Sequence, residues 1–133
     1  MDYFAYASNL SLEQIRKRCP AAKPKFSAVL PNYKIIFSGW SRDWHGGTAS
    51  IKPFKGEKVA GAVYEISEKD LKVLDRYEDY PNTYDHINVM VFKEDGQAVN
   101  VLTYIKRRQF DESKPSPEYL AVIRRGYRDW EIE

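Results

Sequence analysis

Apolar and polar residues alternate along most of the chain, a spacing typical of half-buried β-strands. The alternation is clearest in residues 84–93, where Ile87, Val89 and Val91 share one face of the predicted strand. Asp95-Gly96 then predicts a hairpin turn before a returning strand. About seven strands are predicted, at residues 3–6, 26–30, 33–38, 48–54, 59–66, 84–93 and 99–105.

Turn-forming residues and glycines punctuate these segments. Pro31-Asn32 separates the second strand from the third, and Lys55-Gly56-Glu57-Lys58 predicts a turn between the fourth and the fifth. Gly61 lies inside the fifth strand, where it indicates a bulge or the close approach of another backbone.

Helical spacing replaces the alternation in three places. Ser11 and Gln14 form a predicted capping box for a short helix that stops before Pro20. A second helix begins after Ser67 and runs to about Glu78. A third covers residues 118–128, where Gly126 is expected to weaken the helix or mark its end. Strands with inserted helices predict one α+β domain over residues 1–133, built on a strongly curved mixed or antiparallel sheet.

Composition narrows the class of protein. The chain has 43% hydrophobic and 30% charged residues, and no apolar run approaches the roughly 18 residues of a membrane span. The N-terminus lacks the pattern of a signal peptide, and the single Cys19 fits a reducing cytoplasm. His45 and His86 have no metal-ligand spacing, so we expect no metal and no other cofactor.

Charge gives no reason to expect a polyanionic partner. The formal net charge is +2, from 21 basic and 19 acidic residues. Basic clusters occur at Arg16-Lys17-Arg18, Lys106-Arg107-Arg108 and Arg124-Arg125, and each is interpreted as a solvated face. Nucleic-acid binding stays a minor alternative, and neither a membrane nor an oligomeric state is indicated.

Three stretches carry candidate chemistry. The strand formers Tyr3, Phe4 and Tyr6 run into Ala7-Ser8-Asn9, which is either a plain turn or a loop whose N–H groups bind an anion. Residues 39–47 contain two tryptophans that either fold onto the core or wall a ligand pocket. Glu78 falls at a predicted helix C-terminus beside Asp79. The helix dipole and this second acid are both expected to raise its pKa, although a hydrated surface acid fits the same pattern.

Four segments, taken together, resemble the gamma-glutamylcyclotransferase family. They lie in the family's order and span most of the chain: Tyr6-Ala7-Ser8-Asn9-Leu10, Trp44-His45-Gly46-Gly47, Leu74-Asp75-Arg76-Tyr77-Glu78 and Pro115-Ser116-Pro117-Glu118-Tyr119. The resemblance implies a small β-barrel with flanking α-helices. It also implies an enzyme that releases 5-oxoproline from a small γ-glutamyl amino acid, peptide or amine.

The same resemblance implies the roles of individual residues. Glu78 would be the single catalytic general acid and base. The backbone of Ala7, Ser8, Asn9 and Leu10 would hold the substrate's α-carboxylate. Tyrosines near the substrate would supply hydroxyl groups, with an oxyanion donor among them or in the loop: Tyr6, Tyr84 and Tyr119.

Ala7 is a departure from the resemblance, because the family usually has glycine there. An alanine at positive φ would be strained, whereas at negative φ it is harmless unless its methyl group blocks the substrate. Ala7 therefore motivates an alternative, a non-catalytic relative that binds γ-glutamyl compounds or 5-oxoproline. A further alternative is a larger γ-glutamyl substrate, for which residues 39–47 and 106–115 would set the pocket size.

Overall fold

The predicted strands close into a β-barrel in the computed structural model, which describes residues 1–108 and 111–132. The strands are β1 (Asp2–Ala5), β2 (Lys23–Ser41), β3 (Gly46–Glu65), β4 (Tyr84–Lys93) and β5 (Ala98–Lys106). Their order around the barrel is β1-β3-β2-β4-β5. β1 pairs parallel to β5, and the other pairs are antiparallel. The mixed barrel with flanking helices confirms the predicted fold class.

β2 and β3 each combine two of the predicted strands. Pro31 pairs with Lys58 and Tyr33 with Pro53, so that residues 54–57 bulge opposite Asn32. Gly56 adopts a φ of 91° in this bulge, and its N–H donates to the Asn32 side chain at 3.1 Å. The predicted turn at 55–58 is therefore wrong. The turn-forming residues lie in a bulge, and the pairing of β2 with β3 continues on both sides of it.

Three helices flank the barrel in the described part of the chain: α1 (Leu12–Arg18), α2 (Glu68–Tyr77) and α3 (Pro117–Asp129). Ser11 caps α1 by accepting from the Gln14 N–H, which confirms half of the predicted capping box. The other half is not formed, because the Ser11 N–H donates to the Ser8 carbonyl at 3.2 Å. Ser67 and Asp70 form a reciprocal capping box at the start of α2. None of these helices is long and apolar enough to cross a membrane.

Gly61 and Gly126 allow elements to approach closely. A Cβ at Gly61 would lie 2.4 Å from the Ala5 carbonyl oxygen, which confirms the predicted close approach. Gly126 lies within α3 and does not end the helix. A Cβ there would lie 2.7 Å from the backbone of Leu10, so this glycine lets α3 pack on the turn that follows β1.

Buried apolar side chains form two clusters. One fills the barrel and includes Phe4, Val63 and Val91. The other lies between the barrel and the helices and includes Leu10 and Leu74. Burying each such aliphatic side chain contributes about 1.5–3 kcal/mol, which fixes the helices against the barrel.

Candidate active site

Two adjoining cavities open at one end of the barrel, and most of the predicted site residues line them. The inner cavity, of about 30 Å³, is lined by Tyr3, Tyr6, Ala7, Ser8, Asn9, Ala49, Glu78, Tyr84, Tyr104 and Tyr119. The outer cleft, of about 360 Å³, shares Ser8, Glu78, Tyr84 and Tyr119 with it. The fold thus brings together residues from β1, α2, β4 and α3 that are far apart in the sequence.

Glu78 lies at the C-cap of α2, where its N–H still donates to the Leu74 carbonyl at 2.9 Å. Asp75, one turn earlier, accepts from Tyr104 Oη at 2.7 Å, and its Oδ1 lies 2.6 Å from His86 Nε2. These contacts tie the end of α2 to β4 and β5. Glu78 is therefore held at the boundary of the two cavities.

The Glu78 carboxylate forms no hydrogen bond or ion pair with a described residue. Burial raises its pKa from 4.5 to about 7, while the positive charges of Arg18 and Lys106 partly oppose the rise. The predicted direction is correct, but desolvation is its main cause and Asp79 is not among the causes. A carboxyl group with a pKa near 7 can both accept and release a proton near neutral pH.

The loop after β1 forms a short 3₁₀ turn, Ser8–Leu10. Ala7 has a φ of −129°, so it avoids the left-handed region. The Leu10 N–H donates to the Ala7 carbonyl, and Leu10 is fully buried in the core beneath the helices, so it lines neither cavity. The N–H groups of Ser8 and Asn9 have no acceptor within the described residues.

The three predicted tyrosines differ in how their hydroxyl protons are used. Tyr6 donates to the Tyr104 carbonyl at 2.9 Å, and Tyr84 donates to the Ala49 carbonyl at 2.6 Å. Tyr119 instead accepts from the Ala49 N–H at 2.9 Å, which leaves its own proton without an acceptor among the described residues. Burial, and secondarily the charge of Glu78, raises the pKa of Tyr6 and Tyr84. Burial also raises the pKa of Tyr119, so it can donate a hydrogen bond while remaining protonated.

Two cations of the site, Lys106 and Arg18, belong to basic clusters for which the sequence predicted solvated faces. Lys106 is buried, and its Nζ donates to the Ser38 carbonyl at 2.7 Å and the Thr48 carbonyl at 3.1 Å. Burial lowers the pKa of Lys106 to about 8. Arg18 lines the outer cleft. For Lys106, the alternation of β5 was an available signal, since it lies two residues beyond Tyr104 and therefore on the same face of the strand.

The tryptophans of residues 39–47 were predicted either to fold onto the core or to wall a ligand pocket, and the structure shows both. Trp44 packs against Tyr119 with ring centroids 5.0 Å apart, and it also lines the outer cleft. Trp40 lines the same cleft but is 73% exposed. Lys106 is the one described member of 106–115 in the cleft wall, and Gln109 and Phe110 lie outside the described residues.

Comparison with known proteins gives the same family as the four motifs. Residues 3–129 match the family described as gamma-glutamyl cyclotransferase, AIG2-like. The chain is 33% identical to human gamma-glutamylcyclotransferase over 132 residues, which cover 96% of this chain and 70% of the human protein. The mouse gamma-glutamylcyclotransferase is 32% identical with the same coverage.

Solved structures agree with the sequence match. One described as gamma-glutamyl cyclotransferase has a TM-score of 0.91 at 31% identity, covering 97% of this chain and 79% of that chain. YkqA from Bacillus subtilis has a TM-score of 0.82 at 26% identity, covering 96% of this chain and 48% of its own. These findings confirm the resemblance and the expectation of a gamma-glutamylcyclotransferase-like enzyme. Because the family match covers nearly the whole described fold, the chain belongs to the gamma-glutamyl cyclotransferase, AIG2-like family.

Proposed function

We propose that this protein releases 5-oxoproline from a small γ-glutamyl compound, with Glu78 as the general base and then the general acid. The substrate's α-amine attacks its own γ-carbonyl carbon, the five-membered lactam closes, and the amide nitrogen leaves as an amine. Because nucleophile and electrophile belong to one molecule, a fixed conformation can supply an effective molarity of about 10⁵ M or more. The enzyme has to fold the substrate, move protons and stabilise the oxyanion.

The observation that carries this proposal is the unpaired Glu78 carboxylate at the junction of the two cavities. In its ionised form it takes a proton from the α-ammonium group, whose ordinary pKa is about 8. It then returns that proton to the departing amine and accepts the second proton from the ring nitrogen, which passes to solvent. A pKa of about 7 suits both transfers, so we expect kcat/KM to rise as the pH increases through 7.

Two further groups fit the remaining tasks. The N–H groups of Ser8 and Asn9 lack acceptors within the described residues, so they are available to bind the glutamyl α-carboxylate in the inner cavity. The Tyr119 hydroxyl is the favoured oxyanion donor, since the protons of Tyr6 and Tyr84 are donated to carbonyl groups. The buried thiol of Cys19 takes no part, and a reducing cytoplasm remains our expectation for it.

The test is to incubate the protein with γ-glutamyl amino acids, γ-glutamyl-lysine, a γ-glutamyl amine and glutathione, and to quantify 5-oxoproline by mass spectrometry. Glu78→Gln should lower turnover by at least about 10²-fold, since glutamine keeps the shape but cannot transfer the proton. Asp79→Asn is the matched control, because it neutralises the adjacent acid. The Asp79 carboxylate already accepts hydrogen bonds from Thr83 and Asn82, unlike that of Glu78. Undiminished product from Glu78→Gln would show that another group is the base.

Ala7→Gly examines the non-catalytic alternative. Because the φ of Ala7 is −129°, the glycine should leave turnover within about threefold of the wild type. A wild-type protein that binds 5-oxoproline without turning over any substrate, and that gains turnover as Ala7→Gly, would instead establish the alternative.

A further inference from the structure

Arg18 reaches from the last turn of α1 into the wall of the outer cleft. Its Nη1 donates to Asn9 Oδ1 at 2.7 Å and lies 3.5 Å from Ser8 Oγ. The guanidinium stacks on the Tyr77 ring, 4.3 Å from its centroid. In the amide orientation that satisfies its hydrogen bonds, Gln14 accepts from Nη2 at 3.0 Å and from Nε at 3.2 Å. These contacts hold the guanidinium in one place and leave an Nη2 proton for a ligand.

No carboxylate in the described part of the chain forms an ion pair with Arg18, whose charge acts on the buried Glu78 only at longer range. Asp43 and Asp79 also line the cleft, but Asp79 accepts from Thr83 at 2.8 Å and so has its own donor. A fixed guanidinium beside a cleft is suited to bind a carboxylate from solution.

The position of Arg18 indicates which carboxylate it binds. Ser8, which Arg18 approaches, lines both cavities, whereas Arg18 lines only the outer one. In a γ-glutamyl amino acid, the carboxylate carbon of the leaving residue lies about 2.5 Å from the departing nitrogen. With the glutamyl α-carboxylate at the inner cavity beside Ser8, the leaving residue lies in the outer cleft, whose wall contains Arg18.

We infer that Arg18 is a specificity-determining residue that binds the carboxylate of the leaving amino acid. The inference rests on the proposed function, which places the glutamyl α-carboxylate at the inner cavity and the leaving group in the outer cleft. It predicts that γ-glutamyl compounds with a free carboxylate beside the scissile amide are preferred over γ-glutamyl amines and amides. Trp40 and Tyr77, both exposed at the cleft, are then left to contact the leaving group's side chain.

The experiment compares γ-glutamyl-alanine with γ-glutamyl-alaninamide, which differ only in that carboxylate. Values of kcat and KM for 5-oxoproline release are measured for the wild type, Arg18→Gln and Arg18→Lys. Arg16→Gln is the matched control, since Arg16 lies on the same helix but is exposed. Thermal unfolding of each variant checks that it is folded.

The wild type should favour the acid over the amide by at least about tenfold in kcat/KM, the scale of one charge-assisted hydrogen bond. Arg18→Gln should bring that ratio close to one, mainly by raising KM for the acid, while the amide changes by less than about threefold. Arg18→Lys should keep part of the preference, and Arg16→Gln all of it.

Two results would overturn the inference. One is equal kcat/KM for acid and amide in the wild type. The other is an equal loss for both substrates in Arg18→Gln, which would mean that Arg18 supports the Ser8–Leu10 turn or binds the glutamyl carboxylate instead. If no substrate yields 5-oxoproline, the proposed function fails. In that case the affinities of the acid and the amide for the wild type and Arg18→Gln, measured by calorimetry, test the inference independently of turnover.

Discussion

Glu78 is expected to lower the stability of the protein at the pH where it acts. Its pKa is about 7 in the folded chain and 4.5 as the ordinary value, because burial disfavours the charged form. Between these two values the native state binds more protons than the unfolded state, so stability falls as the pH rises. Below 4.5 both states are protonated and the cost vanishes. Above 7 the cost is complete, at about 3 kcal/mol.

Glu78→Gln removes this titration and keeps the shape of the protonated acid. The variant should therefore be more stable than the wild type above pH 7 and about equally stable near pH 4.5. With an unfolding entropy of about 2.1 cal/mol/K per residue, a chain of 133 residues should gain about 10 °C in Tm at pH 8. The gain would be a stability–activity trade-off, since the same substitution should lower turnover by at least about 10²-fold.

The assay is calorimetric unfolding of both proteins between pH 4.5 and 8.5. Glu94→Gln serves as the control, because Glu94 is exposed in the turn after β4. Its curve should run parallel to that of the wild type. A Glu78→Gln variant whose Tm gain does not grow with pH, or that gains nothing at pH 8, would show that the carboxylate is not the group that burial destabilises.

Two more substitutions follow from the geometry. Tyr119→Phe should lower kcat by about 10²-fold if its hydroxyl donates to the oxyanion, and it should cost about 1–3 kcal/mol of stability because the Ala49 N–H loses its acceptor. Tyr6→Phe, measured in the same assay, should lower kcat less than tenfold, and an equal loss in both would contradict the assignment. Gly126→Ala should lower the free energy of unfolding in urea by about 1–3 kcal/mol, because its Cβ would lie 2.7 Å from the backbone of Leu10. The roughly 1 kcal/mol stabilisation expected at an open helix position would refute that packing.

The alternation of apolar residues was sufficient to predict the strands, since the side-chain period of two marks a half-buried sheet wherever it occurs. It could not predict that four of these segments form two long strands. Pro31-Asn32 and Gly56 carry turn chemistry, and whether such residues end a strand or bulge from it depends on the partner strand. Gly126 was misinterpreted for a similar reason, because its packing against Leu10 joins residues 116 positions apart.

The sequence by itself determined the strand and helix pattern, the caps at Ser11 and Ser67, the family motifs, and Glu78 as the candidate acid. Only the tertiary structure decided what surrounds that acid. Burial is a property of the assembled fold, so neither the cause of the raised Glu78 pKa nor the position of Arg18 in the cleft wall was visible in the local sequence, whereas the alternation of β5 was a signal for Lys106. Lysine and arginine are usually solvated, and a local pattern predicts that common outcome. The closed barrel instead brings both cations close enough to Glu78 for their charges to oppose the rise of its pKa.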